Sequence, residues 1–89
     1  MKAWTEIPYA AAKSGLHSIT KSLARAFAPK VRVNAIMPGA FMTDISKAWS
    51  PAMRAGLEHA VPLGRGGEPR EIVGAALFLA SEASSYATG

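Results

Sequence analysis

The sequence predicts an α/β chain that is mostly helical, carries a single strand, and has the character of one part of a larger parallel sheet. Three observations lead there. Apolar residues Leu16, Ile19, Leu23 and Phe27 recur at spacings of three and four, the period of one helix face. The run Val31-Arg32-Val33-Asn34-Ala35-Ile36-Met37 is short, apolar and β-branched, and Pro38-Gly39 ends it, as at the end of a buried strand. No second run of that kind exists in the chain, so the strand lacks a ladder partner. Unpaired strand groups among apolar side chains cost about 1 to 3 kcal/mol each when buried.

The elements follow in order. Pro8 precedes a helix over 9–28, with Ser14, Ser18, Lys21, Ser22 and Arg25 opposite the apolar face and Pro29 as the stop. The strand spans 31–38. A turn over 39–43 leads to Thr43-Asp44, which offers a helix cap. Residues 44–68 form an excursion of one or two short helices, broken by Ser50-Pro51 and Gly56 and closing in the loop of three glycines and two prolines at 62–69. Pro69 suits the first position of a final helix over 69–81. That helix is apolar on most sides, through Ile72, Val73, Ala76, Leu77 and Leu79, and so expects to be covered.

Composition narrows the function classes. With 89 residues, 49% of them hydrophobic, and no cysteine, the chain is at most one small unit without disulfides or thiolate metal sites. No metal site is expected. The formal charge of +4 divides as +5 over 1–43 and −1 over 44–89, but the basic residues of the first half form no run and no aromatic residues interleave with them. Nucleic acid is therefore not an expected partner. The longest apolar stretch, 75–80, is far shorter than the roughly 20 residues a spanning helix needs. Glu6, Pro8 and Lys13 interrupt what would be a signal-peptide core, so a cytoplasmic setting is expected.

Two features carry chemistry. Tyr9 and Lys13 stand four apart at the start of a helix, so both project from one face. A phenol is a weak acid whose phenolate a nearby ammonium favours, and the pair can serve as proton donor and acceptor. The same spacing also arises whenever an edge-of-core aromatic lies near a solvated charge. The second feature is 34–43, where a strand end turns at Pro38-Gly39 and meets a hydroxyl residue, Thr43, at a helix start. Ligands of open α/β folds sit beyond the carboxyl ends of strands, and helix N-termini attract phosphates. A plain strand-to-helix turn has this form too.

The order of these features is more informative than either alone. Tyr9-x-x-x-Lys13 with Ser14-Gly15-Leu16 comes first, then Arg32-Val33-Asn34-Ala35-Ile36 with Pro38-Gly39 and Thr43. Pro62-Leu63-Gly64-Arg65 with Gly67-Glu68-Pro69 follows, then 76–81 leading to Tyr86-Ala87-Thr88-Gly89. In this order they resemble the C-terminal half of a short-chain dehydrogenase/reductase, a Rossmann-type doubly wound parallel sheet, truncated at both ends. On that resemblance Tyr9 is the general acid/base that exchanges a proton with the substrate oxygen while hydride moves to or from a nicotinamide. Lys13 holds the nicotinamide ribose and favours the phenolate. Pro38 and Gly39 shape the nicotinamide pocket, the backbone at Phe41 meets the carboxamide, and the Thr43 hydroxyl faces the carboxamide or phosphates. Asn34 is structural, and 44–66 is similar to the substrate-covering lid, with Phe41, Met42, Trp49, Met53 and Leu57 suggesting a partly apolar pocket.

The resemblance implies NAD or NADP as cofactor, a small alcohol or carbonyl as substrate, and a homodimeric or homotetrameric intact parent. It has gaps. Gly64, Gly66 and Gly67 follow no strand and do not make the Gly-rich pyrophosphate turn. The family's catalytic serine and the asparagine of its proton relay match no residue here. The isolated chain is accordingly expected to be inactive. Two other classes stand beside the oxidoreductase reading: a noncatalytic fragment that folds only with a partner, and a small basic binding module supported by charge alone.

Overall fold

The computed structural model describes residues 3–39, 41–42 and 48–89. They divide into two units, Met1–Ala35 with Ser81–Gly89, and Ile36–Ala80.

The first unit is built on α1, Ala3–Phe27, a helix of 25 residues. At 1.5 Å per residue it is roughly 37 Å long. It begins upstream of Pro8, where the sequence predicts the opening, so Pro8 lies inside the helix. Beyond the first turn, the proline cannot donate a backbone bond to the Trp4 carbonyl and its ring crowds that carbonyl, while Glu6 sits in the first turn, where the helix dipole favours an acid. The helix ends one residue short of the predicted boundary at 28, with the amides of Lys30 and Val31 both donating to the Phe27 carbonyl at 3.0 Å.

The apolar face at Leu16, Ile19, Leu23 and Phe27 stays exposed. The buried line of α1 runs instead through two smaller residues a turn apart, Thr20 and Ala24. The Thr20 hydroxyl satisfies itself within the helix, donating to the Leu16 carbonyl at 2.8 Å, the local bond that lets a threonine be buried on a helix.

Residues 31–39, expected to hold the strand, carry no ladder. The physical reason is visible at Val33. A ladder needs successive backbone partners, and here the Val33 carbonyl has one, the Gly89 amide at 2.8 Å, while the Val33 amide donates to a side chain, Thr88 Oγ1, at 3.1 Å. Asn34 Nδ2 donates to the Ala87 carbonyl at 2.8 Å. Arg32 does more. Its guanidinium donates to the carbonyls of Ser81, Ser84 and Ala87 at 3.2, 2.9 and 3.3 Å and to Ser84 Oγ at 2.8 Å. Ser84, 2% exposed in the 3-10 turn Glu82–Ser84, is thereby fully partnered.

The second unit holds α2, Pro51–Ala60, and α3, Val73–Ala80. Ser50 caps α2, its Oγ accepting from the Met53 amide at 3.2 Å, and Pro51 occupies the first turn. The Val61 amide closes the other end on the Leu57 carbonyl at 2.9 Å. The alternative cap at Thr43-Asp44 lies outside the described residues. Gly64 then turns the chain with φ of 76°, a conformation side-chain-bearing residues rarely adopt. The final helix predicted over 69–81 starts as a 3-10 turn, Pro69–Ile72, and continues as α3.

That helix is not covered as its composition leads one to expect. Val73, Leu77 and Phe78 are half exposed or more, and Ala24 is the only buried hydrophobic residue among those described. No described helix is long and apolar enough to cross a membrane.

Candidate active site

Tyr9 and Lys13 lie on one face of α1, as their spacing predicts. Lys13 Nζ stands 5.5 Å from the centroid of the Tyr9 ring, within range of a cation–π contact. Tyr9 is 62% exposed and Lys13 is exposed as well, so phenol and ammonium are open to a ligand approaching that face. A rigid helix fixes where the two side chains start.

In the second unit Pro38, Gly39 and Phe41 line one cleft together with Pro69 and Ile72. Its lining side chains are apolar. Phe41 is held from behind. It forms an isolated parallel bridge with Gly67, and the Met42 amide donates to the Gly67 carbonyl at 2.7 Å. Gly67 permits this contact by having no side chain, since a Cβ there would lie 2.7 Å from Phe41 Cε1. Thr43, the remaining predicted cofactor residue, lies outside the described residues. Of the candidate pocket side chains, Phe41, Met42, Trp49 and Leu57 are half-buried and Met53 is exposed.

The strongest electrostatic feature was not singled out by sequence reasoning. Arg65 and Glu71 form a two-pronged ion pair, Nη1 to Oε2 at 2.8 Å and Nη2 to Oε1 at 2.7 Å. Glu71 Oε2 also accepts from the Glu68 amide at 2.6 Å, and Arg65 Nη1 donates to the Gly66 carbonyl at 3.0 Å. The Arg65 hydrogen bond first, and then the Glu68 amide, hold the Glu71 carboxyl down at about 2 from an ordinary 4.5. The Arg65 guanidinium is raised by the same hydrogen bond and by the Glu71 charge. Glu71 three residues after Glu68 and just past Pro69 is helix-start grammar and could have flagged the glutamate. Arg65, six residues before Glu71, is not a helical neighbour of it, and the intervening chain through Gly66, Gly67 and the 3-10 turn at Pro69 brings the two together.

The chain is similar to known proteins. Residues 2–89 match the family model described as enoyl-(acyl carrier protein) reductase. The 3-oxoacyl-(acyl-carrier-protein) reductase of Vibrio harveyi is 49% identical over 82 residues, which are 91% of this chain and 34% of that protein. The corresponding reductase of Aquifex aeolicus is 42% identical over 85 residues, 94% of this chain and 34% of its own length. Among solved structures, a short-chain dehydrogenase/reductase of the glucose/ribitol dehydrogenase type from Brucella melitensis superposes with a TM-score of 0.86 at 35% identity. It covers 93% of this chain, which is 34% of that structure. The chain belongs to the short-chain dehydrogenase/reductase family of oxidoreductases, whose Rossmann-type α/β fold it shares, and it spans about a third of the length of these relatives.

Proposed function

We propose that this chain is the catalytic-helix and lid portion of an NAD(P)-dependent oxidoreductase that interconverts an alcohol and a carbonyl by hydride transfer. The observation that carries the reading is the Tyr9–Lys13 pair, two exposed groups of complementary chemistry on one helix face with the ammonium 5.5 Å from the ring. The printed names of the relatives, a 3-oxoacyl reductase and a glucose/ribitol dehydrogenase, concern different substrates. Alcohol–carbonyl interconversion is what they have in common.

A bound nicotinamide supplies or accepts the hydride at the substrate carbon. The chain's own residues handle the proton and the placement. In the reducing direction the Tyr9 hydroxyl donates its proton to the carbonyl oxygen as negative charge develops there, and the phenolate left behind is stabilised by the Lys13 ammonium. In the oxidising direction the phenolate takes the alcohol proton. Lys13 also holds the ribose hydroxyls, while Pro38, Gly39, Phe41 and Thr43 position the nicotinamide. The apolar cleft side chains and the exposed phenol and ammonium suit a planar ring and a ribose. Pyrophosphate recognition needs a glycine-rich turn that this sequence does not contain.

In a protein of the family's full length carrying this segment, Tyr9→Phe is expected to lower turnover by roughly 10²- to 10⁴-fold with cofactor binding largely kept. Lys13→Ala is expected to impair both. Near-normal turnover in the phenylalanine variant removes the role assigned to Tyr9. The 89-residue chain by itself is expected to bind NADH and NADPH weakly or not at all, and submicromolar binding by calorimetry overturns that. The intact protein is expected to be a homodimer or homotetramer and cytoplasmic.

A second reading is favoured by the single buried hydrophobic residue among those described. The chain by itself is then a noncatalytic piece that acquires a fixed fold only by associating.

A further inference from the structure

Both peptide groups that flank Gly67 are gripped by one ion pair. The peptide before it is held at its oxygen, the Gly66 carbonyl, by Arg65 Nη1 at 3.0 Å. The peptide after it is held at its nitrogen, the Glu68 amide, by Glu71 Oε2 at 2.6 Å. The oxygen of that second peptide, the Gly67 carbonyl, is the acceptor of the Met42 amide at 2.7 Å. A carboxylate on the nitrogen side of a peptide polarises it and strengthens its oxygen as an acceptor, so Glu71, the Glu68–Gly67 peptide and Met42 form one cooperative chain. The same carboxylate fixes the start of the 3-10 turn Pro69–Ile72, whose Pro69 and Ile72 line the cleft with Pro38, Gly39 and Phe41.

We propose that Arg65 and Glu71 are positioning residues, a clamp that fixes the Gly66-Gly67-Glu68 backbone and through it sets the position of the Phe41–Met42 backbone and of the cleft behind it. The importance of that backbone for a cofactor rests on the function proposed above; the clamp itself does not. A surface ion pair by itself contributes little, because solvent screens it. This one differs in what it holds. Its two ends restrain a glycine, the residue with the most backbone freedom, at the point where a side chain would strike the Phe41 ring. Gly67 is thus free of side-chain bulk so that Phe41 can lie against it, and the clamp replaces the rigidity that glycine gives up.

The test is amide hydrogen exchange and amide chemical shift in a protein of the family's full length carrying this segment, with no cofactor present. Glu71→Gln and Arg65→Met are each expected to speed exchange at Met42 by roughly tenfold or more, with α1 amides unchanged. An effect confined to 68–73, with Met42 unmoved, makes the pair a staple of the helix start and overturns the proposal. Titration of the unsubstituted chain is the second measurement. The Glu71 carboxyl lies below its ordinary value when folded, so its contribution is complete above 4.5 and is lost as pH falls through about 2. The Met42 amide shift is expected to follow that midpoint. A flat Met42 shift while Glu71 titrates also overturns the clamp. None of these readouts involves hydride transfer, so failure of the clamp and failure of the Tyr9 assignment are separately visible.

Discussion

Tyr9 and Lys13 show what a residue pair can and cannot encode. Four positions apart on a helix, they must share a face, and they do, with the ammonium beside the ring. Gly67 is the opposite case. No periodicity marks it, yet it is the position where a Cβ would lie 2.7, 2.9 and 3.1 Å from Phe41 Cε1, Cδ1 and Cζ, closer than van der Waals contact allows. Gly67→Ala is expected to push the Phe41 ring out of its place at a cost of about 1 kcal/mol, because the half-buried ring can swing away. Altered Phe41 ring-proton shifts with a small loss in denaturation midpoint would show it. Unchanged ring shifts would mean that the ring does not rest on Gly67. Asn34, which the resemblance makes structural, donates to a carbonyl 53 residues away along the chain.

Helices were legible because their signals are local. The spacing of Leu16, Ile19, Leu23 and Phe27 and the stop at Pro29 locate most of α1, although its beginning runs past Pro8 to Ala3. At α2 the cap is Ser50, at the Ser50-Pro51 break, while the predicted cap at Thr43-Asp44 lies outside the described residues. Ser50→Ala removes the acceptor of the Met53 amide and is expected to destabilise α2 by about 1 kcal/mol, while Ser50→Asp keeps the cap. Exchange at the Met53 amide distinguishes them, and equal rates in the two variants would deny Ser50 that role. The strand was not settled by the same reasoning. A β-branched run between proline signals specifies a segment able to pair, but pairing needs a second backbone. At Val33 a second backbone meets only the carbonyl, through the Gly89 amide, while the Val33 amide goes to the Thr88 side chain.

At the scale of the whole molecule the dominant fact is uncovered apolar surface. Leu16, Ile19 and Phe27 on α1 and Leu77 and Phe78 on α3 are each half exposed or more, and no large side chain is fully buried among the described residues. Contiguous exposed apolar faces drive association. The 89-residue chain is expected to sediment above its monomer mass at micromolar concentration, and paired substitutions Leu16→Lys and Leu77→Lys are expected to return it toward monomer. A strictly monomeric wild-type chain would show that these faces do not self-associate. The family relationship sets the context, since the chain spans about a third of the length of its relatives, whose folds bury more than this segment can.

The sequence by itself determined the helices, the shared face of Tyr9 and Lys13, and through the order of its motifs the membership in an oxidoreductase family. Each depends on spacing along the chain, which a one-dimensional record preserves. Tertiary structure alone decided the partners of distant groups. Arg32 reaches three carbonyls some fifty residues on, Gly67 makes room for Phe41, and the loop over 66–70 brings Arg65 onto Glu71. It also decided that small residues, Thr20 and Ala24, rather than the apolar stripe, form the buried line of α1. Periodicity states which side chains would gain from burial, whereas burial itself requires another surface, and the position of that surface is a property of the folded chain.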